Sequence, residues 1–428
     1  MSKDFPRNFF ENYNALAISS ELRENGLNNA AECDRQLIFA KGSIPNLEHL
    51  LEKNEDEVTG SEESTDLYRK GIRLNDFSLN QSRAQIQHIL HALKLGMAGV
   101  GTVVDIGITG KKHIFSPGES VEPYTFTAIF QEAELQKTRL ISLMYESVEI
   151  DMTKDEWVKL NTTIKGTGKH EKNWQTEVVE ASGDSVDIEV TEIIAGGDVK
   201  SVHSVEILKA DGAFYPLTAS NVSGTHLLLE ESAAEGSTTH NYRVTYNMST
   251  TWGTLPARVA ETPLRVSELT VYLGGKYDSV SGDIIGGMQM NHEIQSAKYT
   301  LTQPNIIEAR PRLETENPDY ANYAMRQPRT QQVVLSRDFK NLVIQSKLDK
   351  QEYFALKLKC EGAEFEDGLN FKFELIFPRV RIAGGNRSEE NGAMKEEIPL
   401  EILADPAKVN KSVYVVIVSQ QTKCGELV

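Results

Sequence analysis

Residues 145–169, YESVEIDMTKDEWVKLNTTIKGTGK, read as a pair of β-strands. Val148, Ile150 and Met152 occupy alternate positions, and a period of two puts them on one face of a pleated strand. The first strand is expected over 139–151 and the second over 156–164. Gly166-Thr-Gly168 closes the pair with residues that favour turns.

Upstream, Tyr124–Gln131 and Ile72–Leu79 read as further strands. Between them Ile86, Ile89, Leu90, Leu93 and Met97 recur at helical spacing, opened by Asn80 or Ser82 and ended by Gly96 and Gly99. An acidic stretch, 52–66, is expected to be a solvated loop. Residues 46–169 make one compact unit on this reading. Residues 1–45 read as an N-terminal arm with a weak helix over 27–38 and too little apolar surface for its own core. Such a segment orders against a neighbouring subunit.

Downstream, 170–262 changes character. Val/Ile/Thr-rich runs alternate with Gly, Asp and Asn turns at roughly ten-residue spacing, which predicts an inserted immunoglobulin-like β-sandwich. The Cys…Trp…Cys core of antibody domains is absent, so spacing alone carries this reading. Residues 263–428 form the last unit. It has a long hairpin over 266–301, a polar loop over 303–329, a strand over 330–335, a helix opened by Ser336, and strands over 353–360, 369–377, 395–403 and 413–418.

The two outer units share an order of elements. Each has a polar loop with Asp and Tyr, then an arginine pair (Arg69 and Arg73; Arg326 and Arg329), a strand and a Ser-Arg-led helix. A duplication interrupted by the sandwich is expected. The fold class is therefore mainly β: two tandem sandwich or barrel units, each with one packed helix, and the insert. Two copies per chain let three chains close a pseudo-sixfold ring in which neighbours cover each other's strand edges.

Composition narrows function. The formal charge of −17 opposes a protein that grips nucleic acid by neutralising phosphates. The start MSKDFPRNFF has no apolar signal core, and no run of about 18 apolar residues exists, so cytoplasmic synthesis without a membrane anchor is expected. Cys33, Cys360 and Cys424 have no metal or disulfide spacing. His88 and His91 lie three apart on one helix face and could hold a metal, but no carboxylate is placed beside them by a motif, so both are taken as structural. No nucleophile elbow, zincin or phosphate-loop motif occurs. Gly274-Gly275 and Gly286-Gly287 sit among strands with no helix N-terminus after them, so they mark bulges or close subunit approach. No catalytic, cofactor-binding or metal-binding residue is assigned, and an enzyme is not expected.

The sequence resembles the major tail tube proteins of tailed bacteriophages with long, non-contractile tails. The resemblance rests on SRAQIQHILHALKLGMAGVGT (82–102), the strand pair 145–169, LTVYLGGKYDSVSGDIIGGMQMNHEIQSAKYTL (269–301), and FELIFPRVRIAG with KEEIPLEILAD (373–405). These segments lie within 46–169 and 264–406, which make up roughly three-fifths of the chain; the arm and the insert depart from the resemblance. It implies stacked trimeric or hexameric rings in a virion tail assembled in the host cytoplasm. Tape-measure, tail-terminator and tail-tip proteins would be partners, and DNA would pass without specific binding. The hairpin would line the lumen or join rings through Glu268, Lys276, Asp278, Asp283, Glu293 and Lys298. Alternatives are a ring-forming baseplate or terminator protein, or a surface carbohydrate-binding module.

Overall fold

The computed structural model describes residues 15–19, 21–22, 27–40, 45–53, 67–131, 136–258, 261–266, 269–290, 293–310, 320–390, 392–406, 411–420 and 426–427. The chain is mainly β, with α-helices at Ile86–Gly96 and Val343–Asp349 among the described residues. The 145–169 pair forms and is longer than read. Lys137–Thr153 runs antiparallel to Lys159–Gly166, with Leu160 opposite Ile150 and Thr162 opposite Val148. Val148, Ile150 and Met152 are buried, and Glu149 and Asp151 between them stay partly exposed.

Lys137–Thr153 is one of two spines. Along one side it carries Lys159–Gly166; along the other, its first half pairs with Phe126–Gln131 and its second half with Ile294–Thr302. Leu369–Ile382 repeats this arrangement. Phe354–Glu366 covers one side, and Tyr414–Ser419 and then Ala393–Ile402 cover the other. Thr330–Asp338 lies between Ile294–Thr302 and Ala393–Ile402 and joins the spines in one sheet. A second junction pairs Gly110–Ser116 with Tyr414–Ser419.

The two outer segments are therefore not separately cored. Strand edges that 46–169 would leave open are paired by 263–428 in the same chain, and one apolar cluster runs through both. An unpaired edge carries unsatisfied N–H and C=O groups, so a partner on the same chain is taken first. The expected one-to-one repeat is not seen in the pairing. Leu67–Leu74 pairs with Leu47–Lys53 in a separate two-stranded sheet, whereas Thr330–Asp338 sits mid-sheet. The helices differ too. Every residue of Ile86–Gly96 is buried, but only Ile344 is buried in Val343–Asp349. Ser336 does not open that second helix. It lies in a strand, and Asn341 Oδ1 accepts from Val343 N instead.

The first helix closes the core from one end. Glu261 Oε2 accepts from Gln87 N at 3.0 Å, satisfying an N–H that helix geometry leaves orphaned. Gly96 lies against Leu301 and Val148, so strands from both outer segments press on this helix.

The insert folds as a seven-stranded antiparallel sandwich from Trp174 to Asn247 with its own core, including Ile188, Ile207, Leu227, Tyr242 and Val244. One sheet orders Trp174–Ser182, Thr239–Asn247, Val202–Leu208 and Phe214–Leu217; the other orders Asp187–Glu189, His226–Leu229 and Ala219–Ser223. His170–Lys172 still belongs to the main sheet, so the sandwich begins later than the expected boundary.

The arm differs from its reading where it is described. Ala15–Ile18 pairs with Phe126–Gln131 and with Arg35–Leu37, and Leu16, Ile18 and Leu37 enter the main core. The helix expected over 27–38 is replaced by irregular chain and that short strand, because the free edge of Ala15–Ile18 supplies backbone partners to Arg35–Leu37. Residues 1–14, most of the acidic loop, 311–319 and Cys424 lie outside the described residues.

Candidate assembly surface

The hairpin expected over 266–301 is built in parts. Leu269–Leu273 pairs with Phe354–Glu366 and with Met288–Gln289, while Ile294–Thr302 leaves for the central sheet. Between them Lys276–Asp278 and Asp283–Ile285 form a short two-stranded ribbon. A glycine pair flanks each of its strands, and the two pairs meet at its base. All four glycines have positive φ, and a Cβ on Gly275 would collide with the Gly286 carbonyl. These pairs are therefore sites of close backbone approach within the chain.

The structure brings Lys276, Asp278 and Asp283 together in this ribbon. Lys276 is exposed. Asp278 closes the turn, accepting from Ser281 N at 2.9 Å and Ser281 Oγ at 2.8 Å. Asp283 binds Lys357 Nζ at 2.8 Å. Burial alone would raise the Asp283 carboxyl; hydrogen bonds from Lys357 and the Ile284 N–H, with the Lys357 and Lys372 charges, together outweigh it and hold the group below the usual carboxylate range. Lys357 also faces Glu374 at 3.4 Å, and Lys372 faces Glu374 at 2.8 Å.

Glu293 and Lys298 lie elsewhere. Glu293 binds Arg337 at 3.1 Å, and Lys298 binds Glu149 at 2.8 Å on the neighbouring spine. Both are spent on pairs within the fold. Glu268 lies outside the described residues.

The ribbon covers an apolar patch on the outer face of the sheet. Tyr277 stacks on Tyr414 with centroids 4.5 Å apart, and Ile376, Val416, Ile114 and Ile284 complete the cluster. Burial pushes the Tyr277 hydroxyl up to about 12. Tyr277→Ala should loosen this strap alone. Limited proteolysis should then cut within 276–285 while amides of the two spines keep their exchange protection. A uniform loss of protection would contradict an independent strap.

A second surface was missed in the sequence. Val100–Ile106 pairs with Gly110–Ser116 on one side and with nothing on the other among the described residues. Val100, Val103 and Val104 are exposed, and Ile108 at the turn is 94% exposed. Five consecutive residues, Val100–Val104, carry neither charge nor proline, the usual protections of an edge strand. The signal was the β-branched run followed by Gly107 and Gly110.

This hairpin is held from behind. Glu366, at the tip of the neighbouring hairpin, accepts from Ile108 N at 2.6 Å, Thr109 N at 2.8 Å and Thr109 Oγ1 at 2.9 Å. The two backbone N–H groups hold the Glu366 carboxyl below its ordinary range. Gly101 permits the close pairing, since a Cβ there would collide with the Ile114 carbonyl.

The histidines of the first helix point into the core. His91 Nδ1 lies 2.9 Å from Tyr145 Oη and its Nε2 lies 3.0 Å from the Ser19 carbonyl. Both nitrogens of His88 are buried without a hydrogen-bond partner. Cys360 is buried in the core, and burial pushes the Cys33 thiol up to about 12.

No protein-family model matches the sequence, and no curated protein matches it.

Proposed function

We propose that this chain is a structural subunit that associates with copies of itself through strand edges, building the stacked rings of a phage tail tube. The observation that carries the reading is the edge Val100–Ile106, unpaired on one side among the described residues, exposing the uncharged run Val100–Val104 and braced by Glu366. Such an edge is a template for a strand of another copy, with main-chain hydrogen bonds giving affinity. The resemblance of 82–102, 145–169, 269–301 and 373–405 to tail tube proteins directs the assembly toward a tube. The charge of −17 suits a conduit that DNA traverses without binding.

Electron microscopy of the purified chain, alone and with tail-tip components, tests this. Hollow tubes are expected. Val103→Lys with Val104→Lys should abolish them while leaving the circular dichroism of the monomer unchanged, because charge on an open edge blocks pairing. Tubes that form equally well from the double variant would remove the edge from the assembly. Single rings that never stack would indicate a baseplate or terminator role instead.

A further inference from the structure

Arg326 and Arg329, the second of the two arginine pairs in the sequence, line a cleft of about 360 Å³ with Gly118, Ser120 and Gln303. Arg326 ends the strand Tyr323–Arg326, and Arg329 lies in the link to Thr330–Asp338. Arg326 Nη1 donates to the Ser120 carbonyl at 3.1 Å and its Nη2 to Gln303 Oε1 at 2.7 Å. Arg329 Nη1 donates to the Gly118 carbonyl at 3.0 Å. All three acceptors are neutral.

Neither guanidinium forms an ion pair with a carboxylate among the described residues, in a chain with 62 acidic residues available to supply one. Each guanidinium carries about five N–H donors, so most of the donors are unused. No nitrogen of either arginine is buried without a partner, so the unused donors reach solvent, and both side chains line the cleft. Lys411 Nζ donates to the Pro117 carbonyl at 2.8 Å, bringing a third cation to the same loop. Glu119, exposed, also lines the cleft and attracts Arg329, so an anion bound there competes with its carboxylate. Burial, and then the neighbouring Arg329 charge, push Arg326 down to about 10, as two like charges held close require.

We propose that this cleft binds a phosphate-type dianion between the Arg326 and Arg329 guanidiniums. Planar forks with fixed carbonyl anchors present their free N–H groups at set angles, which suits a multi-oxygen anion. A dianion also neutralises both charges, which a carboxylate does not. Arginines that only clamped the 117–122 loop would need no unused donors facing an opening. The inference is independent of the assembly reading.

Isothermal titration of the full chain with inorganic phosphate, at constant ionic strength with acetate as the control, tests it. Saturable one-site binding is expected, with acetate much weaker. Arg329→Gln should weaken phosphate by roughly tenfold or more, the scale of a lost charge-assisted pair. Glu119→Gln should tighten it several-fold by removing a competing carboxylate. That opposite shift is one that partial unfolding of the first variant cannot imitate. A nucleoside 5′-monophosphate, titrated alongside, separates the sources: tighter binding than inorganic phosphate assigns a nucleotide, and weaker binding assigns the free ion. No saturable phosphate binding to the wild type, or equal affinity in all three proteins, would overturn the proposal.

Discussion

Arg337→Met should lower the stability of the main body by about 3–5 kcal/mol, the scale for breaking a buried ion pair from one side. Arg337 is fully buried on Thr330–Asp338. Its Nε and Nη2 reach Glu396 Oε2 at 2.8 and 2.7 Å, its Nη1 reaches Glu293 at 3.1 Å, and its Nη2 donates to the Asn341 carbonyl at 3.0 Å. Glu396 is itself 2% exposed and directly opposite Arg337 on the paired strand. Removing the guanidinium leaves that carboxylate in the core with only the more distant Arg387, at 3.5 Å. Arg337→Met with Glu396→Leu should recover much of the loss, because no uncompensated charge remains. Urea unfolding of the three proteins measures both effects. A single variant that costs under about 1 kcal/mol would show that the cluster is hydrated in solution.

Acid should unfold the protein in part through His88. Burial alone depresses its imidazole from 6.5 to about 3, and its nitrogens have no partner. The sign follows from proton uptake. Below pH 6.5 the unfolded chain takes up a proton that the folded core refuses, so stability falls as pH drops from 6.5 toward 3 and is level above neutrality. The full span is on the order of 5 kcal/mol. His91, also depressed, mainly by burial and then by Arg35 and His88, adds in the same direction. His88→Leu should flatten the slope and stabilise the chain more at pH 4.5 than at pH 8. Carboxylates such as Asp283 contribute to acid unfolding in both proteins, so the difference between the two unfolding curves isolates His88. An unchanged difference across that range would mean that His88 is hydrated or protonated in the fold.

The elements with clear periodicity were legible. Ile86, Ile89, Leu90 and Leu93 mark the first helix, and Val148, Ile150 and Met152 mark a spine. The insert showed itself by strand spacing. The hairpin Val100–Ile106 and Gly110–Ser116 was not read, because Val100–Val104 lacks alternation: both of its faces are exposed. The six hairpin residues illustrate the limit at a site. Asp283 and Glu293 look alike as loop carboxylates, yet the first holds a strap to Lys357 and the second serves a buried arginine.

Periodicity is a local property, and it was enough to specify a mainly β chain, one strongly amphipathic helix and a separately cored insert. Which strands meet is not local. Only the tertiary structure decided that Ser147–Thr153 pairs with Ser296–Thr302 and that Lys111–Phe115 pairs with Val415–Ser419, merging the outer segments into one sheet. Backbone groups on a strand edge are alike whatever the side chains, so the choice of partner falls to the burial and packing of the whole core.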